Sequence, residues 1–280
     1  MRFQALILVA AVGLSACTTT GPAGESGRQL PQASKAERRD ELEPRTLKFI
    51  TEVAAQEPAF LVPQLHYRTN GLPPTWQDQV CAQVTGLPEP ADQFILARVA
   101  QIARAAGVRL GSKHCSPNFY IFVTTRPREL IEGMQESFDL FGTRGRPYLI
   151  DQFSATPRAV RVWYNVIPGR PASLGYEFAR VLLIADRTKL QAVSLGQLAD
   201  YIAMVGLAEI VPDAHLGDAR TILKLFDAGP QVAPAGLSDW DQAFLKALYS
   251  TLPEPFKQYC GVQRCELVQI AQTMASDIDP

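Results

Sequence analysis

The chain has few of the side chains that hold metals. Its 280 residues include three histidines, His66, His114 and His215, scattered without ligand spacing. Neither a C-x-x-C pair nor an H-E-x-x-H helix motif occurs, so the spacings of the common zinc sites are missing. Charge of one sign is lacking too. The 27 Lys+Arg are balanced by 28 Asp+Glu without a basic block, which argues against a nucleic-acid partner. Neither a Gly-rich phosphate loop nor a G-x-S-x-G nucleophile elbow is present. Long hydrophobic runs are also lacking. The stretch from Phe3 to Leu14 is about 12 residues, against the ~20 that cross a bilayer. The next best, 202–210, is short and interrupted by Glu209.

What is present begins at the N terminus. Met1-Arg2 supplies a positive start, the apolar stretch follows, and Leu14-Ser15-Ala16-Cys17 comes at once. A charged tip, a short apolar run and small residues before a cut site form a secretory signal. With cysteine directly after the small residues, the segment resembles a bacterial lipoprotein signal. That resemblance implies cleavage between Ala16 and Cys17, a diacylated Cys17 sulfur and an acylated new amino group. Lipid chains would then be the hold on the bilayer, and two or more chains hold stably where one does not. Thr18-Thr19-Thr20 lacks the aspartate that tends to retain such proteins in the inner membrane. The implied address is the outer membrane, facing the periplasm. Loss of residues 1–16 removes Arg2 and takes the net charge from −1 to −2.

With Cys17 lipidated, Cys81, Cys115, Cys260 and Cys265 remain. An even set in an oxidising compartment predicts two disulfides, and three pairings are open. Cys81–Cys115 with Cys260–Cys265 is favoured. Cys81 lies in a strand-like segment and Cys115 just before another, while Cys260 and Cys265 close a short loop. Metal binding by these thiols is the weaker alternative.

Composition divides the chain into a signal peptide at 1–16, a tether at 17–35, a helical lead-in at 36–62 and one globular domain at 63–280. The tether is rich in Thr, Gly, Ser, Pro and Gln and has too little apolar area to offset the entropy of ordering. In the lead-in, Leu47, Ile50 and Val53 fall at helical spacing, with Pro44 placed to open the helix.

Within the domain, 76–84 reads as a strand and 90–106 as a helix with Ile95, Val99, Ile102 and Ala106 on one stripe. Residues 118–124 are aromatic and β-branched on both faces, predicting a buried central strand. A short helix at 127–137 precedes an irregular loop through Gly142, Gly145 and Pro147, and strands at 159–167 and 178–185 follow. Helices are expected at 194–210, 218–226, 238–250 and 264–276. Ser194 with Gln197 has the form of a capping box, and Ser238 with Asp241 is a shorter-armed version. The pattern is α/β (α+β): a mixed sheet of about four to five strands with packed helices, then a helical C-terminal part.

Cys115-Ser-Pro-Asn-Phe-Tyr-Ile-Phe-Val-Thr-Thr, Leu195-Gly-Gln-Leu-Ala-Asp-Tyr-Ile-Ala-Met and the run from Leu237 to Tyr249 resemble a family of uncharacterised proteobacterial envelope proteins, over most of residues 75–250. That resemblance implies one domain and a Cys81–Cys115 pair, and no catalytic residues. The order of elements is more distantly similar to zincin metallopeptidases, which makes 194–210 the counterpart of their active-site helix. Gln197, Asp200 and Tyr201 stand there in place of the zinc ligands, so a zincin-like fold would have lost its metal.

Those three residues share a face at i, i+3 and i+4. They either form the polar floor of a groove for a peptide or glycan, or satisfy nearby backbone groups and pack against the sheet. The second reading is favoured, since buried helices carry such structural polar groups. Arg126, Arg128, Arg144, Arg146, Arg158 and Arg161 make the middle third locally basic, which suits either anionic polymers or, more simply, a solvated surface. No catalytic residue, metal ligand or cofactor is assigned. The expectation is a lipid-anchored envelope protein that binds a periplasmic protein or glycan. A hydrolase or divergent zincin-like peptidase is the alternative.

Overall fold

A computed structural model describes residues 35–54, 73–136, 140–142, 147–169, 176–211, 214–250 and 265–278. Residues 1–34, with Cys17 and the tether up to that point, lie outside these, as do Cys260 and the side chain of Cys265, and therefore their pairing.

The frame is a four-stranded mixed sheet in the order β1-β2-β4-β3: β1 (Ala82–Thr85), β2 (Phe119–Thr124), β3 (Val160–Pro168) and β4 (Tyr176–Asp186). β1, β2 and β4 are parallel, and β3 returns antiparallel to β4. Successive side chains on a strand point to opposite faces. Phe119, Ile121 and Val123 of β2, with Val181, Leu183 and Ala185 of β4, enter one apolar cluster. Leu182 and Ile184 of β4 enter another, against which Tyr120 and Phe122 of β2 pack. Covering on both faces explains why these strands read as nearly continuous apolar runs.

Among the described residues, seven helices share the covering unequally. The first face carries the large core, to which α1 (Lys35–Val53), α2 (Ala91–Ala106), α5 (Leu195–Leu207), α6 (Asp239–Ser250) and α7 (Cys265–Ile278) contribute. The second face carries α3 (Pro127–Glu136) and α4 (Pro147–Ala155), packed around Trp163. On the first face α5 sits very close to β2. A Cβ on Gly206 would lie 2.1 Å from Phe119 Cζ, so only glycine allows this seating. Trp76 braces the same turn, its Nε1 donating to the Gly206 carbonyl at 2.9 Å.

The parallel pairing of β1 with β2 brings Cys81 and Cys115 together, and they form a disulfide with S–S 2.04 Å. The Cys81 N–H also donates to Asn118 Oδ1 at 2.8 Å, tying the entrance of β1 to that of β2.

Several expectations are corrected. Pro44 lies inside α1 instead of opening it. The segment before it, Lys35 to Glu43, is dense in good helix formers and extends the helix N-terminally. α1 also belongs to the core beyond residue 63: Phe49, Ile50 and Val53 are buried, and Thr46 Oγ1 donates to the Ala271 carbonyl of α7 at 3.0 Å. The strand expected from residue 76 begins only at Ala82, with single bridges at Thr75 and Val80 before it, because Trp76 is diverted beneath α5. Pro147 opens α4, where the sequence suggested a loop, and Leu149 and Ile150 pack beside Trp163. The 218–226 helix is reduced to a 3₁₀ turn, Ile222–Leu225, because the Thr221 side chain caps Leu223 N–H and starts the turn late.

Candidate functional site

The first place to look for chemistry is α5. Ser194 opens it with a reciprocal capping box: the Gln197 N–H donates to Ser194 Oγ at 3.1 Å, and the Ser194 N–H to Gln197 Oε1 at 3.2 Å. Gln197 then spends its Nε2 on the carbonyls of Pro230 (2.9 Å) and Pro234 (3.2 Å). One turn on, Asp200 is 1% exposed and accepts from Arg98 Nε at 2.5 Å, Arg98 Nη2 at 2.8 Å and Leu237 N–H at 2.7 Å. The hydrogen bond to this carboxylate holds the Arg98 guanidinium above its ordinary pKa. Gly236 lets the chain approach that closely, since a Cβ there would lie 2.6 Å from Asp200 Oδ2. Tyr201 packs edge-on against Phe226, ring centroids 4.8 Å apart, and burial raises its phenol pKa.

Gln197 and Asp200 therefore pin the segment 230–237 across α5, and Tyr201 packs against the 3₁₀ turn that precedes it. They do not form a groove floor. The polar atoms of Gln197 and Asp200 are engaged by backbone, by Ser194 or by Arg98, as buried polar groups in folded proteins generally are. His114 and His215 are exposed while Gln197 and Asp200 are buried, and His66 lies outside the described residues. Among the described residues no group of three or more His, Cys, Asp or Glu side chains is arranged to hold a metal.

A second polar knot closes the N-terminus of α6. Asp241 is fully buried and accepts from Ser238 N–H (2.9 Å), Ser238 Oγ (2.8 Å), Ile222 N–H (2.9 Å) and Thr221 Oγ1. The Asp241 N–H donates back to Ser238 Oγ at 3.2 Å, which completes the short-armed capping box. Burial raises the Asp241 pKa, and its hydrogen bonds act in the opposite direction. This knot joins residues 221–222 to the start of α6 and is structural.

Among the described residues, hollows lie elsewhere between the helices. One of about 340 Å³ runs between α2, α6 and the end of α7, with Arg98, Ile102, Ala106, Ala243, Lys246 and Ile278 in its wall. Another, about 380 Å³, lies between α1 and α7 beside Glu43, Leu47 and Gln272. Neither contains a histidine, or any of Gln197, Asp200 and Tyr201. Lys246, at the edge of the first, pairs with Asp277 at 2.8 Å.

The arginines of the middle third divide. Arg126 and Arg128 are exposed, Arg158 is half-buried, and Arg144 and Arg146 lie outside the described residues. Arg161 is 6% exposed, which corrects the solvated reading. It stands on β3 opposite Ile184, on the face of the small cluster, and its Nε and Nη1 are buried without a hydrogen-bond partner. Burial lowers its pKa; nearby Asp186 opposes this and nearby Arg128 adds to it. No sequence signal marked Arg161: it alternates with Val160 and Val162, which face the large cluster, and a polar Asn165 stands further along the same strand.

Compared with known proteins, the chain matches no family model, no curated protein and no solved structure.

Proposed function

We propose that the chain is a lipoprotein of the bacterial envelope, anchored through acylated Cys17 at the periplasmic side of the outer membrane. In this reading its folded part binds a periplasmic protein or glycan and performs no catalysis. The observation that carries the anchor is Leu14-Ser-Ala-Cys17 at the end of a short apolar run. The Cys81–Cys115 disulfide supports an oxidising compartment, where such bonds persist. The binding role is supported by the way Gln197, Asp200 and Asp241 are used. These buried polar side chains are committed to holding loops in place.

The test is fractionation of cells producing the full chain or Cys17→Ser, with a clickable palmitate label. The wild type is expected in the membrane fraction and labelled; Cys17→Ser is expected unlabelled and released. Unchanged membrane association of Cys17→Ser would refute the anchor. Zinc analysis of the purified full chain addresses the second half: stoichiometric, chelator-sensitive metal would overturn the binding role in favour of a hydrolase.

A further inference from the structure

A buried guanidinium without partners is unusual, because a buried charge ordinarily has an ion-pair or hydrogen-bond partner. Arg161 lacks one at both Nε and Nη1. Asp186, two residues beyond Ile184 on the same face of β4, is close enough to favour the charge but does not bond either nitrogen. Its Oδ1 is occupied by the Thr188 N–H at 3.1 Å and Thr188 Oγ1 at 2.6 Å. The other charge acting on Arg161 is Arg128, which repels it. Arg161 thus keeps two buried donors unspent beside a second, exposed arginine.

The location fits an anion. β1, β2 and β4 are parallel and end at Thr85, Thr124 and Asp186, with Thr124 and Asp186 in register. Ligands of open α/β sheets bind beyond such carboxyl ends, especially where outgoing connections leave for opposite faces. β1 leads to α2 on the first face and β2 to α3 on the second, so that point lies between β1 and β2; Arg161, on β3, stands beyond β4 on the face that α3 covers. α3 begins three residues after Thr124 with Pro127, which has no N–H, so the positive end of its dipole and the N–H groups of Arg128 and Glu129 lie at this edge. Arg128 stands in that first turn. On α4, over the same face and one turn beyond Ile150, the buried Ser154 Oγ also has no partner.

We propose that Arg161, with Arg128 and the first turn of α3, forms a binding site for a single phosphate group at the carboxyl end of the sheet. Arginine suits this role because its fork donates two parallel bonds to adjacent oxygens. The site is independent of the lipid anchor, and holds whether or not Cys17 is acylated.

The test is thermal unfolding of the full chain in detergent, titrated with inorganic phosphate at ionic strength held constant with chloride. A saturable rise in Tm is expected. Arg161→Met should abolish the rise, and without phosphate should melt no lower than wild type, because an unpartnered buried charge has been removed. Arg128→Ala, an exposed change that leaves the fold intact, should raise the half-saturating phosphate concentration about threefold. Glycerophosphoglycerol, the soluble headgroup of phosphatidylglycerol, separates two sources. An Arg161-dependent response to it identifies a lipid phosphodiester, and a response to inorganic phosphate alone identifies a free phosphate. No response to either, a rise that survives Arg161→Met, or an unchanged midpoint in Arg128→Ala overturns the site.

Discussion

The two faces of the sheet differ in how they treat buried polar groups, although α7, on the first, also leaves Asp277 Oδ2 unpartnered while Oδ1 accepts from Lys246. On the first face, Trp76 Nε1, Tyr164 Oη, Tyr249 Oη, Gln197, Asp200 and Asp241 are all buried or half-buried, and each is bonded to backbone or to a side chain. Tyr164, for example, donates to the Val205 carbonyl at 2.7 Å, and Tyr249 to that of Leu207 at 2.5 Å. These bonds converge on α5 and on the segment that follows it. On the second face Trp163 is satisfied by the Phe141 carbonyl at 3.0 Å, yet Arg161 and Ser154 keep polar atoms unspent. A satisfied buried network fixes a single arrangement, while an unsatisfied one is costly unless something else supplies the partner. The first face therefore reads as scaffold, and the second as the place where binding capacity was retained.

The strongest attack on that contrast is Asp241→Ala. The carboxylate is fully buried, and its removal leaves the N–H groups of Ile222 and Ser238 and the Thr221 hydroxyl without their acceptor. A loss of about 3 kcal/mol is expected, read as a lower urea midpoint at unchanged m-value. A loss under about 1 kcal/mol would mean the knot is not a structural tie, and the first face would lose its claim.

Asp200→Ala should cost less, about 2 kcal/mol, because Arg98 is a third exposed and regains water when released. Arg98→Ala is expected to destabilise on its own, since it strands the Asp200 carboxylate on Leu237 N–H alone. The double variant should then lose much less than the sum of the two. Additivity in that cycle would show that Asp200 and Arg98 act separately, leaving Asp200 available for another role.

How far the sequence foretold this depends on whether a feature was local. The Ser194–Gln197 box, the Ser238–Asp241 box, the stripe of α2 and the two-sided apolar run of β2 are written within a few residues, and all are present. The Cys81–Cys115 bond followed once compartment and strand neighbours were considered together. Arg98 as the partner of Asp200 was not legible, because the pair is separated by 102 residues and neither carries a motif. Nor was the burial of Arg161. In β3 it alternates with half-buried Val162, and only the arrival of α3 and α4 over that face removes it from water. The Pro44 error has the same origin: local rules place proline at a helix start, and the helix-forming run before it outweighs them.

The smallest predicted effect is the sharpest test of the contrast, because it expects almost nothing. Ser154 lies on the sheet side of α4, buried, with its Oγ unpartnered. Removing a hydroxyl that makes no bond gives up no interaction and ends a desolvation cost, and alanine is the better helix former. Ser154→Ala is therefore expected to leave the urea midpoint unchanged or raise it slightly, by no more than about 0.5 kcal/mol in stability. Truncating one of the bonded first-face groups, such as Tyr164 or Asp241, would not behave this way, because each has a hydrogen bond to lose. If Ser154→Ala destabilises by more than about 1 kcal/mol, its hydroxyl has a partner in solution. Arg161 would then be the polar group that still marks the second face, and Ser154 would drop out of the reason for locating binding there.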